Sequence, residues 1–527
     1  MFGFFALKYF TPDIEALGRG ATFSEVNKEI IEDFSIVVFW RFGLHCDTVS
    51  PISLDRITRL MQLPIVSPAP LVMGHALVFR DLFENRRQFR HFQNYLTGLI
   101  VLPNKSLANI SRCILNSADK TNVSRFLSQA PWARAPMNDR RLAYLLAQTK
   151  RLRLPKSQSV LILDDTLCEH VGSLFDYIDR HYNHGDATFP LAHNPVTSHY
   201  VSGPVRFPVE LRLYRRYEEF TQWETFVHQH FPDRALPSKK KERAQFHKEV
   251  DPVLLADPAF QVLHQQFRTK IDLAIDLLGS AIQHKLPFSV VLFDSWYLAE
   301  DFVKVLRRRK KDWISILKKN RQLETNSFTL KEATGKRITL AGPHIKVEDL
   351  IPLIPASAYR PVTVDDTTYW TFTLAVRIPS LGKVRLVISF EQADLTGTYA
   401  VLVTNRADWS AHRIIATYLQ RWPIETFYQD GKEQLGLDEY RMRDAEAIQK
   451  HWCLVFVAYS FLHLDCLPPS LKHGRLPLKT IGEACRQQAQ ALIEALILYT
   501  HDQLQLGEKT RDLFAWLFAK QQRPVAT

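Results

Sequence analysis

The sequence predicts an α/β protein of several domains, with buried strands at its centre and helical regions at both ends. Two observations predict the sheet. Residues 159–166 and 288–297 each carry a short apolar run that stops at aspartate, Asp164-Asp165 in one and Asp294 in the other. Runs of about five or six apolar residues bounded by polar ones read as central strands buried on both faces. Two such strands side by side gather their carboxylates at one edge, where open α/β sheets bind ligands. A third observation adds chemistry: Tyr418, Arg421, Glu425 and Lys432 follow at steps of three, four and seven residues. On one helix, at about 100° per residue, all four fall within an arc of about 60°. A carboxylate on a cationic face suits a metal ion meeting a phosphodiester.

In chain order, residues 1–64 carry few signals and form an N-terminal extension without an assigned task. Over residues 79–100, Phe79, Phe83, Phe89, Phe92 and Leu96 recur at helical spacing with Arg80, Arg86, Arg87 and Arg90 interleaved, an amphipathic basic helix. Residues 106–114 and 121–132 read as two short helices around Ala118-Asp119-Lys120. This is either a helix-turn-helix, whose second helix with Arg125 enters the major groove, or a plain helical hairpin. Together these make a helical region over 65–155.

After the Asp164 strand, residues 195–202 and 205–214 alternate around Gly203-Pro204 as a hairpin. A helix over about 259–284, the Asp294 strand, a helix over 298–309 and a strand over 313–317 complete the first part of a core, 156–323. Residues 324–396 form a β-rich insertion, with alternating runs at 369–376 and 384–390. Asp365-Asp366-Thr367 repeats the earlier tripeptide between two alternating runs and reads as a hairpin turn. The second part of the core, 397–440, carries the Glu425 helix, where Pro423 predicts a kink or a helix start. Residues 441–527 are helical, and Ile481, Ala484, Cys485 and Leu492 share a face that either pairs subunits or packs internally.

Asp164-Asp165-Thr166 after one strand, Asp294-Ser295-Trp296-Tyr297 after a second, and Tyr418-x2-Arg421-x3-Glu425-x6-Lys432 later closely resemble the DDE transposases of bacterial insertion sequences, in the group named for its YREK signature. The resemblance runs from about Leu96 to Arg443. It implies an RNase H-like catalytic core interrupted by the β-rich insertion, with the helical region at 65–155 binding DNA and the one at 441–527 available for dimerisation. It implies that Asp164, Asp294 and Glu425 are catalytic and hold two Mg²⁺ or Mn²⁺ ions. Asp164 is preferred over Asp165 because it directly follows the apolar run, as Asp294 does. Tyr418, Arg421 and Lys432 are then expected to hold phosphates. Trp370 is a candidate for stacking on a flipped base, against the alternative of a core tryptophan, and Trp296 and Trp422 compete for that role. The implied partners are double-stranded DNA, as terminal inverted repeats and target, and a second copy of the chain when DNA is bound. The implied activity is cleavage and strand transfer, cut-and-paste through a hairpin intermediate. The alternative is a catalytically silent, sequence-specific DNA-binding protein or transposition repressor.

Composition agrees with a polyanionic partner. The 527 residues include 67 Lys and Arg against 55 Asp and Glu, a formal charge of +12. The six cysteines lack a CxxC pair, which argues for a reducing compartment and against a zinc ribbon, and His181, His184, His193 and His199 with Cys168 match no common zinc spacing. The first residues lack a basic n-region, and the longest apolar run, of about 12 residues, is too short for a bilayer. The expectation is a cytoplasmic, nucleoid-associated protein without a membrane segment. The chain has no Gly-x4-Gly-Lys-Ser/Thr loop, which disfavours an ATP-driven mechanism.

Overall fold

Both apolar runs form central strands. β1 (Val160–Asp165) pairs in parallel with β4 (Val290–Phe293), and β4 in parallel with β5 (Asp312–Ile316). All of β4 and the first five residues of β1 are buried, as continuous apolar runs require. On its other side β1 pairs antiparallel with β2 (Leu191–Ser202), which turns at Gly203, φ +63°, into β3 (Val205–Tyr214). A side chain at that φ is strained, so glycine suits the turn. This computed structural model describes residues 63–115, 117–183, 185–468 and 479–520. Nearly all of the N-terminal extension, together with His184, lies outside the described residues.

The β-rich segment continues the same sheet. β6 (Arg360–Val364), β7 (Thr367–Ile378), β8 (Gly382–Phe390) and β9 (Tyr399–Thr404) pair antiparallel in sequence, and β9 pairs with β5 through Leu402 and Ile316. With two short strands, Cys168–His170 and Asp179–Arg180, on β2, the sheet has eleven strands among the described residues. Asp365 and Asp366 have φ of 46° and 63° and form the two-residue β6–β7 turn, as their flanking alternation predicted.

Helices cover this sheet. α5 (Lys270–Gln283) and α6 (Glu300–Arg308) supply Leu273, Leu277, Phe302 and Leu306 to the core formed with Leu161, Val291 and Phe293. The single helix expected over 259–284 is two, because Thr269 and Asp272 form a capping box that starts α5 and leaves Pro258–Gln266 as a separate helix. Upstream of these, helices Trp223–His230 and Lys240–Leu254 enclose a small core of their own around Trp223, Phe246, Val250 and Phe260. Phe246, Val250 and Leu254, spaced four apart, were its sequence signal, masked by the charged residues around them.

In the N-terminal helical region the expected 79–100 helix begins later, as α1 (Arg86–Val101), because the Asn85 side chain caps it through the Gln88 amide. α2 (Leu107–Cys113) and α3 (Lys120–Ser128) are the two short helices, and α4 (Arg134–Gln148) follows. Arg141 of α4, 1% exposed, donates to the carbonyls of Pro208 and Val209 in β3 and to Ser460 Oγ, which fastens the helices to the sheet. Ser460 belongs to α9 (Ala445–Cys466), a helix buried along most of its length. Among the described residues no helix is long and apolar enough to cross a membrane.

Candidate active site

Asp164 is the penultimate residue of β1 and Asp294 directly follows β4, so parallel pairing brings both to one edge of the sheet. Each is 8% exposed. Asp294 Oδ1 accepts the Trp296 amide at 2.9 Å, and Asp164 Oδ1 accepts the Asp165 amide at 3.0 Å. Burial pushes both carboxyls above their ordinary range. For Asp164, the attraction of Arg421 does not overcome burial and the repulsion of Glu425, Asp294 and Asp165.

Of the kink or helix start that Pro423 allows, the structure has the start, so no single helix carries Tyr418, Arg421, Glu425 and Lys432. α7 (Ala411–Leu419) ends before α8 (Trp422–Leu435), with Arg421 at the N-cap and Pro423 in the first turn. Proline has no amide hydrogen to donate within a helix, so it is tolerated at a start and breaks an interior. Tyr418 therefore leaves the proposed arc, while Glu425 and Lys432 remain on α8. The break also carries Arg421 inward. It is 8% exposed, its guanidinium donates to Asp164 Oδ2, and it stands 3.1 Å from Glu425 Oε1. The bland reading of Arg421 and Glu425 as a solvated surface pair does not hold.

Tyr418 is 6% exposed, and among the described residues neither its hydroxyl nor Arg421 Nε has a hydrogen-bond partner. Two buried donors beside buried carboxylates form a place for an anionic oxygen. Lys432 donates to the Leu167 carbonyl at 2.8 Å, just beyond β1. The donor set of Asp164, Asp294 and Glu425 is all carboxylate oxygen, the chemistry that hard divalent ions take. Among the described residues, however, no three Asp, Glu, His or Cys side chains converge closely enough to hold a metal, and the Arg421 guanidinium supplies positive charge between Asp164 and Glu425.

Asp165 is engaged differently. It accepts Lys270 Nζ at 2.7 Å, the Tyr297 hydroxyl at 2.7 Å and Asn194 Nδ2 at 2.9 Å. Burial raises its carboxyl, and these partners, Lys270 foremost, outweigh burial and hold it below the usual range. Asp165→Asn is expected to destabilise the protein by about 2 kcal/mol in urea unfolding at pH 7. A carboxylate with a depressed folded pKa stabilises above its unfolded value and loses that contribution as pH falls through the folded one. The gap between variant and wild type should therefore close below about pH 4; a gap independent of pH would refute the charge argument. Lys270 and Asn194 lie 105 and 29 residues from Asp165 and carried no sequence signal.

Of the remaining candidates, Trp296 stands at this edge and Trp370 and Arg125 lie on other elements. Trp370 is half-buried on β7, beside Phe390 of β8 and Pro361 of β6, four strands from β4. Trp296, two residues after Asp294, is 60% exposed with Lys318 Nζ 4.2 Å from its ring centre. Arg125 is exposed on α3.

Comparison with known proteins bears on this edge. Residues 78–346, just over half of the chain, match the family described as DDE superfamily endonuclease. Residues 261–461 match the archaeal transposase family ISC1217. The first match contains Asp164 and Asp294, and the second contains Asp294 and Glu425. A search of curated proteins returns no match.

Proposed function

The chain belongs to the DDE superfamily endonucleases, and from that premise we propose that it is a DNA transposase of the YREK-signature group. In this reading it binds the terminal inverted repeats of its element and catalyses strand cleavage and strand transfer, cut-and-paste through a hairpin intermediate, as a dimer on DNA. The observation that carries the reading is the sheet edge: Asp164 and Glu425 hold a buried guanidinium, buried Asp294 ends the neighbouring strand, and the Tyr418 hydroxyl and Arg421 Nε have no acceptor among the described residues. The strand order β3-β2-β1-β4-β5, antiparallel on one side of β1 and parallel on the other, supports an RNase H-like core.

On this reading Asp164, Asp294 and Glu425 would hold two Mg²⁺ or Mn²⁺ ions, which requires them to draw closer than they stand here, where no three such side chains among the described residues converge closely enough for a metal. Such ions activate a water or a 3′-hydroxyl and stabilise the leaving oxygen of an in-line displacement. The chain's own groups orient the substrate. The Tyr418 hydroxyl and Arg421 Nε donate to phosphate oxygens. Lys432, on the Leu167 carbonyl, braces the segment after β1, and Lys270, Asn194 and Tyr297 hold Asp165 so that β1 presents Asp164. Raised carboxyls at Asp164 and Asp294 make the edge a place where added positive charge is favoured.

The test is a labelled duplex carrying the element's flanking ends, incubated with the protein in Mg²⁺, Mn²⁺ or EDTA, with a second duplex as target. Metal-dependent nicking and covalent joining to the target are expected. Binding without cutting under either metal would favour the catalytically silent DNA-binding protein, cutting without joining would mean a nuclease, and cutting in EDTA would sink the metal assignment.

A further inference from the structure

Away from the carboxylate edge, an open depression of about 260 Å³, floored in part by Phe126 and Ala130, lies between α3 and the first turns of α1. Arg87, Gln88 and His91 line it from α1, Asn122 and Arg125 from α3, and Gln129 from the cap of α3. Asn122 and Arg125 stand at i and i+3 on one face of α3, Gln129 caps its end, and all three face α1 across the depression. Asn, Arg and Gln are the residue types that read base edges from a projecting helix. Here they form a wall instead.

The depression is rich in donors. His91 is 8% exposed and makes no hydrogen bond among the described residues, although its ring borders the depression. Burial, with Arg87 and Arg90 adding to it, lowers its pKa, so the neutral ring offers one N–H. Arg86, Arg87, Arg90 and Arg125 take part in none of the ion pairs among the described residues, and Arg87 and Arg125 both line the opening. Two acidic neighbours have defined bonds: Glu84 accepts from Gln88, and Asp119, which caps α3, accepts the amide and side chain of Asn122 without an ion pair to Arg125 among the described residues. The first turn of α1 adds amide hydrogens and the positive end of its dipole. The volume is below the roughly 300–1,000 Å³ of small-molecule pockets, which fits one group of a polymer better than a free cofactor.

We propose that this depression binds one backbone phosphate of duplex DNA, held between Arg87 and Arg125, and that α3 thereby sets the position of the duplex without reading its sequence. The choice of DNA rests on the transposase reading; the depression's role in binding is independent of the carboxylates. Phosphate contacts fix register and carry no base information.

The experiment is fluorescence anisotropy of two labelled duplexes, one from the element's flank and one of random sequence, over a salt series, with the full-length chain and Arg87→Gln, Arg125→Gln and the double variant. Each single variant is expected to weaken binding about tenfold on both duplexes. The double variant should flatten the log–log salt slope by about one unit in total, because both guanidinia serve one phosphate. Both residues are exposed, so the thermal midpoint should not move. Unchanged affinity and slope would overturn the assignment. A loss confined to the flank duplex would mean base reading by Arg125, and a slope change near two units would mean two separate phosphates; either overturns it. Protection of wild type but not the double variant by millimolar inorganic phosphate, with DNA affinity unchanged, would assign the depression to a free anion instead. A wild type that binds neither duplex would overturn the transposase reading as well, whereas intact binding with insensitive variants would overturn the phosphate site alone.

Discussion

Asp294→Asn and Asp164→Asn are both expected to abolish metal-dependent cleavage, by at least a factor on the order of 10²–10³, while differing in their effect on stability. The two carboxylates are equally buried and differ in company. Asp294 receives the Trp296 amide but, among the described residues, no cation within hydrogen-bond reach, and burial holds its carboxyl up. An asparagine there still accepts that amide and removes a charge that the interior disfavours. The variant should unfold at higher urea, by about 1 kcal/mol, the size of ordinary stabilising substitutions. Asp164 instead accepts the Arg421 guanidinium, which is itself buried. Replacing it leaves that guanidinium with Glu425 alone; breaking one arm of a buried pair costs about 3 kcal/mol, offset in part by removing a carboxylate that burial disfavours, so this variant should be the less stable of the two. Urea unfolding at pH 7 beside the cleavage assay decides. Loss of cleavage with the stability order reversed would show that Arg421 compensates Asp294 rather than Asp164; retained cleavage in either variant would remove that residue from the site.

The fold is expected to weaken steeply between pH 7 and pH 5, through histidines buried without charge. His451 receives the Tyr95 hydroxyl at Nδ1, 2.8 Å away, and donates from Nε2 to the Gly436 carbonyl at 2.9 Å, so one nitrogen accepts and the ring is neutral. His463 Nε2 accepts the Arg206 amide at 3.1 Å. His199 is 1% exposed and neither of its nitrogens has a partner among the described residues. Burial lowers His451 to about 4 and His463 to about 3, and puts His199 well below its ordinary value. For a base with a depressed folded pKa, the unfolded chain binds more protons between the two pKa values, so stability falls as pH drops below about 6.5. At pH 5 each fully buried ring then costs about 2 kcal/mol, or about 4 kcal/mol for His451 and His463 together. That is a large share of the 5–15 kcal/mol by which proteins are usually stable. Urea midpoints at pH 7.5 and pH 5 measure it, and His463→Gln should make the dependence shallower. Equal midpoints at the two pH values would contradict neutral burial.

The elements that were legible in the sequence are those set by local pattern. Val160 to Leu163 and Val290 to Phe293 are apolar on both faces, which only a central strand satisfies, and both form central strands. Asp365-Asp366 lies between alternating runs and adopts the two positive φ values that a tight hairpin needs. Where a local signal was overridden, a cap or a proline was responsible: Asn85 and Thr269 restart helices that periodicity drew as longer, and Pro423 divides the helix on which four side chains were expected to align.

The sequence by itself determined which residue types stand at the strand ends and at the start of α8, because hydrophobic period and proline chemistry act within a few residues of the chain. Tertiary structure alone decided their partners. Arg421 meets Asp164 across 257 residues and Lys270 meets Asp165 across 105, through the pairing of β1 with β4 and the packing of α5 and α8 at one edge. It likewise turned Asn122 and Arg125 of α3, with Gln129 at its cap, toward α1. Side-chain burial and charge pairing depend on which elements share an edge, and no period along the chain encodes that distance.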